Sequence, residues 1–313
     1  MKPDPRIHVS LAHLRGLKGA ARGLSFLPHQ PSASVLNGRH ASRLRGRGLN
    51  FEEMRDYLPG DDIRSIDWKA TARTGSPHVR VFTEERDRPA LLVVDQRMSM
   101  FFGSRLNMKS VTAAEAAAIA AFRILDAGDR VGGIVFDDEG QIEFKPGRSR
   151  MNVHVLLKSV ATMNSGLYAD KAVTPMPGGL NRVLGGVARI AHHDHLVILF
   201  SDFDGIDETT HRRLSGIAAH NDLVLMLVYD PLALQTAADR RVVVGDHKLQ
   251  AEVDLTSKRT RDALAAYSSR RLQKIVNWQQ DINLSVLPLN AGEETLPQIR
   301  RLLGRMVSRR SFR

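Results

Sequence analysis

LLVVDQRMSMFFGS, Leu91–Ser104, opens on four apolar residues and closes that run with Asp95. An unbroken apolar run of this length reads as a strand buried on both faces, which extends back to Ala90. The pattern returns in HLVILFSD (195–202) and DLVLMLVYD (222–230). RVGGIVF (130–136) and NLSVLPL (283–289) read as further strands, and QIEFKPG (141–147) as a short edge strand after an Asp-Asp-Glu-Gly turn. Between them lie helical patterns over 110–128, 152–163, 180–191, 207–221, 256–280 and 295–307. Fully apolar strands alternating with helices predict an α/β fold: a doubly wound, mostly parallel sheet with helices on both faces. Such sheets carry their sites at the C-terminal ends of strands, where the strand order reverses. The loops after Asp95, Asp202 and Tyr229 are therefore the candidates.

Upstream the pattern is different. Leu11, Leu14, Leu17 and Leu24 recur at helical spacing, and a Pro-, Ser- and Gly-rich loop follows, LPHQPSASVLNGRH. Residues 48–88 form a dense mixed-charge block, and residues 241–254 alternate like a polar hairpin. The expected division is an N-terminal basic arm and accessory segment over 1–88 and the sheet domain over 89–313.

The net charge of +11 sits at the ends. Residues 1–47 contain nine Lys/Arg and one acid, and residues 296–313 contain six arginines and no acid. Such arms attract the phosphates of nucleic acid, an anionic membrane surface or an acidic protein face; solvated tails that aid solubility are the other reading. The chain contains no cysteine, which excludes disulfides, thiolate zinc sites and cysteine nucleophiles. Neither a signal peptide nor an apolar span of membrane length is apparent, so a cytoplasmic protein is expected, with the inner-membrane surface as a peripheral station for the arms.

Two strands end alike, VVD at 93–95 and FSD at 200–202. Adjacent carboxylates at one sheet rim repel unless a cation lies between them. Asp95, Ser99 and Asp202 resemble the metal-ion-dependent adhesion site of von Willebrand factor A domains, whose first strand ends in Asp-x-Ser-x-Ser. Arg97 replaces the first serine of that motif, and the family's threonine falls on Leu180, with Thr174 nearby. We expect the Arg97 guanidinium to lie against Asp95 or Asp202 in place of the ion, leaving no cofactor or at most weak Mg or Mn binding. Arg97 would then also be free to take a partner's carboxylate directly.

A second resemblance covers Gly46–Asp95 and continues past residue 254. Gly48 and Phe51 are followed by Arg55-x-Tyr57, Gly60-Asp61-Asp62, Arg64-x-Ile66-Asp67-Trp68 and Ala72-Arg73, with Glu85 and Arg86 downstream. This order resembles the bacterial domain of unknown function 58. In physical terms the block is turn chemistry with interleaved Arg and Asp, and Trp68 as an apolar anchor. Its two readings are a salt-bridge network that clips the segment to the sheet and a partner-docking face.

His192, His193 and His195 fall where a helix gives way to a strand and cannot all face one point, and no nucleophile–base–orienter set is spaced for catalysis. The family resemblance implies a non-enzymatic interaction module: an adaptor or co-chaperone of a MoxR-type AAA+ ATPase, with a client protein as a further partner and no small-molecule substrate. The alternative is a polyanion-binding protein that uses its basic ends.

Overall fold

The computed structural model describes residues 4–19, 49–84, 89–169, 178–233, 241–246, 249–254, 270–271, 273–282 and 284–308. The chain divides into two compact units, one built from 1–29 with 88–313 and the other from 30–87.

The larger unit is built on a six-stranded sheet of β3 (Ala90–Asp95), β4 (Val131–Phe136), β5 (Gln141–Gly147), β6 (Leu196–Ser201), β7 (Asp222–Tyr229) and β10 (Leu284–Asn290), in the order β10-β7-β6-β3-β4-β5. All pairs are parallel except β4 with the edge strand β5. Every residue of β3, β4 and β6 is buried, as their unbroken apolar sequence requires. Alternate residues along β3 feed opposite layers. Leu92 and Val94 join a core closed by α3 (Lys109–Asp126), α4 (Arg150–Ser165) and α8 (Thr295–Ser308). Leu91 and Val93 join a second core, closed by α5 (Gly179–Ile190), α6 (Glu208–Ala218) and α7, helical over 273–281. These are the two helical faces of a doubly wound sheet. Gly133 in β4 allows close packing: a Cβ there would stand 2.4 Å from Leu156 Cδ1 of α4 and 2.6 Å from the Leu92 carbonyl oxygen.

The boundary expected at residue 88 does not separate the N-terminus from the sheet. Helix α1 (Leu11–Gly16) is capped by Ser10 and belongs to the sheet unit, with Leu14 fully buried in its core. Val9 N–H donates to Asn164 Oδ1 (2.7 Å), and Asn164 Nδ2 donates to Gln96 Oε1 (2.9 Å). Apolar burial and two satisfied buried amides thus attach a segment that its charge marked as an arm. Similarly, 296–308 is no tail: it lies in α8, with Ile299 and Leu303 buried. The remainder of the predicted arms, 1–3, 20–47 and 309–313, lies outside the described residues, as do most of the helix predicted over 256–280 and the loop at 27–40. The polar hairpin is β8 (Arg241–Asp246) paired antiparallel with β9 (Leu249–Asp254). Among the described residues no helix is long and apolar enough to cross a membrane.

The smaller unit contains β1 (Leu49–Asp56) antiparallel to β2 (His78–Glu84), with α2 (Trp68–Thr74) between them. Several of its described charges pair within the unit. Arg55 forks onto Asp61, Nη1 to Oδ2 and Nη2 to Oδ1, both at 2.8 Å. Asp62 accepts from the Arg64 N–H and caps the turn Ile63–Ser65, while Asp67 caps α2 through the Lys69 and Ala70 N–H groups. Gly60 and Gly75 take positive φ at the turn and the helix end. Trp68 is 65% exposed and is not the buried anchor expected; as the first residue of α2 it points out, and Ala70 supplies the buried contact instead. Tyr57 is half-buried, and Arg64 and Arg73 are exposed.

Candidate functional site

Strand β3 has β4 on one side and β6 on the other, so the chain switches direction across it and opens a crevice at the carboxyl ends of β3 and β6. Asp95 and Ser201 close those strands, and Asp202 and Asp204 follow immediately.

Asp95 is fully buried, and its acceptor positions are filled from the same chain. Oδ1 accepts from the Arg97 backbone N–H and from Nε, both at 3.0 Å. Oδ2 accepts from Arg97 Nη2 (2.7 Å) and Ser201 Oγ (2.6 Å). Arg97 Nη1 donates to the Asp204 carbonyl oxygen (3.2 Å), and its guanidinium lies 5.6 Å from the Phe136 ring centroid. Edge and face of the guanidinium are thereby both fixed.

Asp202 is matched by a second set. Lys109 Nζ donates to Oδ2 (2.6 Å), and Ser99 Oγ and the Asp204 N–H donate to Oδ1 (3.3 and 3.0 Å). Arg271, beside α7, lies 3.8 Å from Oδ2 and is also paired with the Asp204 carboxylate. Arg97 Nη2 stands 3.9 Å from Asp202 Oδ1, so one guanidinium bridges the two strand-end acids. Burial alone would raise the Asp202 carboxyl. The charges of Lys109, then Arg97 and Arg271, overcome it and hold the group well below the usual carboxylate range. For Arg97, burial favours the neutral form, but the carboxylates, Asp95 first, keep the guanidinium above even its ordinary range. The turn that sets this geometry has Phe203 at φ 55°, fully buried, its N–H donating to Ser201 Oγ at 2.9 Å.

Three cations therefore face Asp95, Asp202 and Asp204. A divalent ion does not fit this donor set. The oxygens it would need already accept from Arg97, Ser201 and Lys109, and its charge would be added to three fixed positive groups. Among the described residues no three His, Asp or Glu side chains gather in a metal-holding arrangement. Arg97 is also not open to a partner's carboxylate as expected. Its side chain is only 10% exposed, and its Nε–Nη2 edge is occupied by Asp95.

Of the other residues read from the sequence, Leu180 does not line the site. It is 3% exposed and packs in the core beneath α5, because the helix turns this apolar side chain toward the sheet. Thr174 lies outside the described residues. His193 pairs with its neighbour Asp194 (3.0 Å), and His195 Nδ1 meets the His193 carbonyl oxygen (2.7 Å). The partners not foreseen include Lys109, Ser201, Arg271 and the two acids that pin the β3–α3 loop. Asp138 accepts from the Met98 N–H (2.5 Å), and Asp230 accepts from Ser104 N–H (2.8 Å) and Oγ (2.6 Å). Asp138 and Asp230 follow β4 and β7, so the signal that exposed Asp95, an apolar run ending in aspartate, was present in FDD and YD as well. Lys109 and Arg271 carry no such mark.

Fold and crevice together define a doubly wound α/β protein whose strand-end acids are neutralised by its own arginine and lysine side chains. The chain belongs to the family described as "Protein of unknown function DUF58", whose profile matches residues 53–274. It is similar to uncharacterized proteins of Mycobacterium bovis and Mycobacterium tuberculosis, 31% identical over 230 residues that cover 74% of this chain and 70% of each relative.

Proposed function

We propose that this protein is a non-enzymatic interaction module, an adaptor or co-chaperone partner of a MoxR-type AAA+ ATPase that also meets a client protein. On this reading its rim is a degenerate form of the metal-ion-dependent adhesion site of von Willebrand factor A-like domains. The Arg97–Asp95 clamp is the observation that carries it. General acid–base work needs a group that titrates near neutrality. Here Asp202 is pushed far below that range and Arg97 far above it, so the crevice holds charge rather than moving protons. A guanidinium fixed where an ion would sit gives a rim whose shape does not depend on divalent metal. The partner then meets the surrounding loops, 96–109 and 202–207, rather than Arg97 itself.

The test is co-purification of the tagged full-length chain from its native cell, washed with and without EDTA. The expected result is a MoxR-type ATPase retained equally in both. Loss of the complex in EDTA would overturn the metal-independent rim. Absence of any such ATPase under crosslinking would overturn the partnership.

A further inference from the structure

A groove of about 750 Å³ lies between α1, α3 and α4. Its floor is Phe122, Leu125 and Leu157, which pack on the sheet core. Its walls carry Arg15 and Lys18 at the end of α1, and Arg150 and His154 on α4. No aspartate or glutamate is among the described residues that line it; the nearest in sequence, Asp126, is exposed at the end of α3. Met151 lines the groove while 64% exposed, and Val155, one turn further along α4, is 39% exposed. The apolar floor thus continues as a strip along a helix. In monomeric proteins an apolar strip with a one-signed polar border marks an interaction site.

The groove is remote from the crevice. Helix α3 begins at Lys109, beside Asp202, and Phe122 lies thirteen residues on, about 20 Å along the axis. It stands independently of the reading given for the rim, and either can fail without the other.

We propose that this groove docks an acidic amphipathic segment of a partner protein. Apolar side chains at helical spacing would enter between Phe122, Leu125 and Leu157. Flanking carboxylates would meet Arg15, Lys18 and Arg150, with His154 as a further donor. Charge complementarity selects the occupant, because a basic rim without a lining acid repels basic segments and gives neutral ones no register. Concavity favours a peptide over a membrane: a flat bilayer reaches the cationic walls but not a floor set between three helices.

The absence of cysteine makes the test direct. Met151→Cys introduces a single accessible thiol for an environment-sensitive fluorophore on the full chain. The probes are helix-forming peptides with a Leu/Phe stripe flanked by glutamates, the same compositions scrambled, the same stripe flanked by lysines, and phosphatidylglycerol vesicles. Saturable binding of the patterned acidic peptides is expected, at least tenfold weaker for scrambled ones and absent for the lysine series. Arg15→Glu with Arg150→Glu should weaken binding tenfold or more; Arg212→Glu, exposed on α6, should not. A benzophenone attached to the same introduced thiol provides a readout that does not depend on the double variant folding, and its crosslinks should map to the peptide's apolar stripe. Equal binding of scrambled peptides, indifference to the double variant, a response to vesicles alone, or crosslinks scattered along the peptide would each overturn the proposal.

Discussion

Lys109 Nζ lies 2.6 Å from Asp202 Oδ2, so the first residue of α3 neutralises the acid that follows β6. The pair is nearly sealed, with side chains 12% and 5% exposed. With Arg97 on Asp95 it makes two internal ion pairs side by side, joined by the 3.9 Å approach of Arg97 Nη2 to Asp202. Two like charges at one sheet rim are a liability that many folds solve with a divalent ion. In this chain Arg97 and Lys109 lie against the two acids.

Arg97→Ser removes the guanidinium and restores the Asp-x-Ser-x-Ser order at 95–99. Stability should fall by about 3–5 kcal/mol, the cost of leaving a buried charge unpaired, read as the urea midpoint. The same variant should gain Mn²⁺ binding by calorimetry, and added Mn²⁺ should raise its urea midpoint by mass action. The native chain should show neither effect. Mn²⁺ binding by the native protein with stability unchanged in the variant would remove the guanidinium from this role.

The sheet was legible because each buried strand is an unbroken apolar run, and the crevice because two such runs end in aspartate. What escaped was whatever rests on long-range contact. Lys109 and Asp202 are 93 residues apart, and nothing in either neighbourhood marks the other. Leu180 misled because alignment to a motif gives a position and not a direction; the helix turns it into the core. In the smaller unit, LNFEEMRD hid a strand, since alternating charges resemble a solvated loop until β2 supplies the partner. Both α1 and the α8 segment show helical spacing in the sequence, but their charge masked how they dock, with Leu14, Ile299 and Leu303 buried in the sheet unit's core.

Ser201 does two things with one hydroxyl: it donates to Asp95 Oδ2 (2.6 Å) and accepts from the Phe203 N–H (2.9 Å). Ser201→Ala leaves a buried carboxylate oxygen one donor short and a buried N–H without its acceptor. A loss of about 1–3 kcal/mol per orphaned group is expected, seen in denaturant unfolding. A change within a few tenths of a kcal/mol would show the bonds to be dispensable.

Asp202 sets the acid limit of the rim. Its folded pKa lies below the unfolded value, so its contribution is present above the ordinary carboxylate range and is lost as pH falls through the folded value. In a comparison of Asp202→Asn with the native chain, the native advantage should be full at neutral pH and shrink only in strong acid. An advantage that disappears already near pH 5 would contradict the pairing with Lys109 and Arg97.

His13 titrates in the opposite sense. Its Nε2 lies 2.6 Å from Glu115 Oε1 of α3, and Glu115 Oε2 accepts from Thr295 Oγ1 at the start of α8, so one carboxylate ties α1 and α8 to α3. The hydrogen bond to Glu115 raises the imidazole above 6.5, its ordinary value, against the opposing effect of burial. A raised folded pKa means the protonated form is the one favoured on folding. The stabilisation is therefore complete below the unfolded pKa and is lost as pH rises through the folded one. As pH rises from below the ordinary imidazole value of 6.5 through the raised folded one, the difference in urea midpoint between the native chain and His13→Ala should narrow. The His13 ring proton shift should follow the same transition, and His13→Lys, charged throughout, should flatten it. A midpoint difference that stays constant across that range, with the His13 ring titrating at its ordinary value, would break the link between α1 docking and the imidazolium.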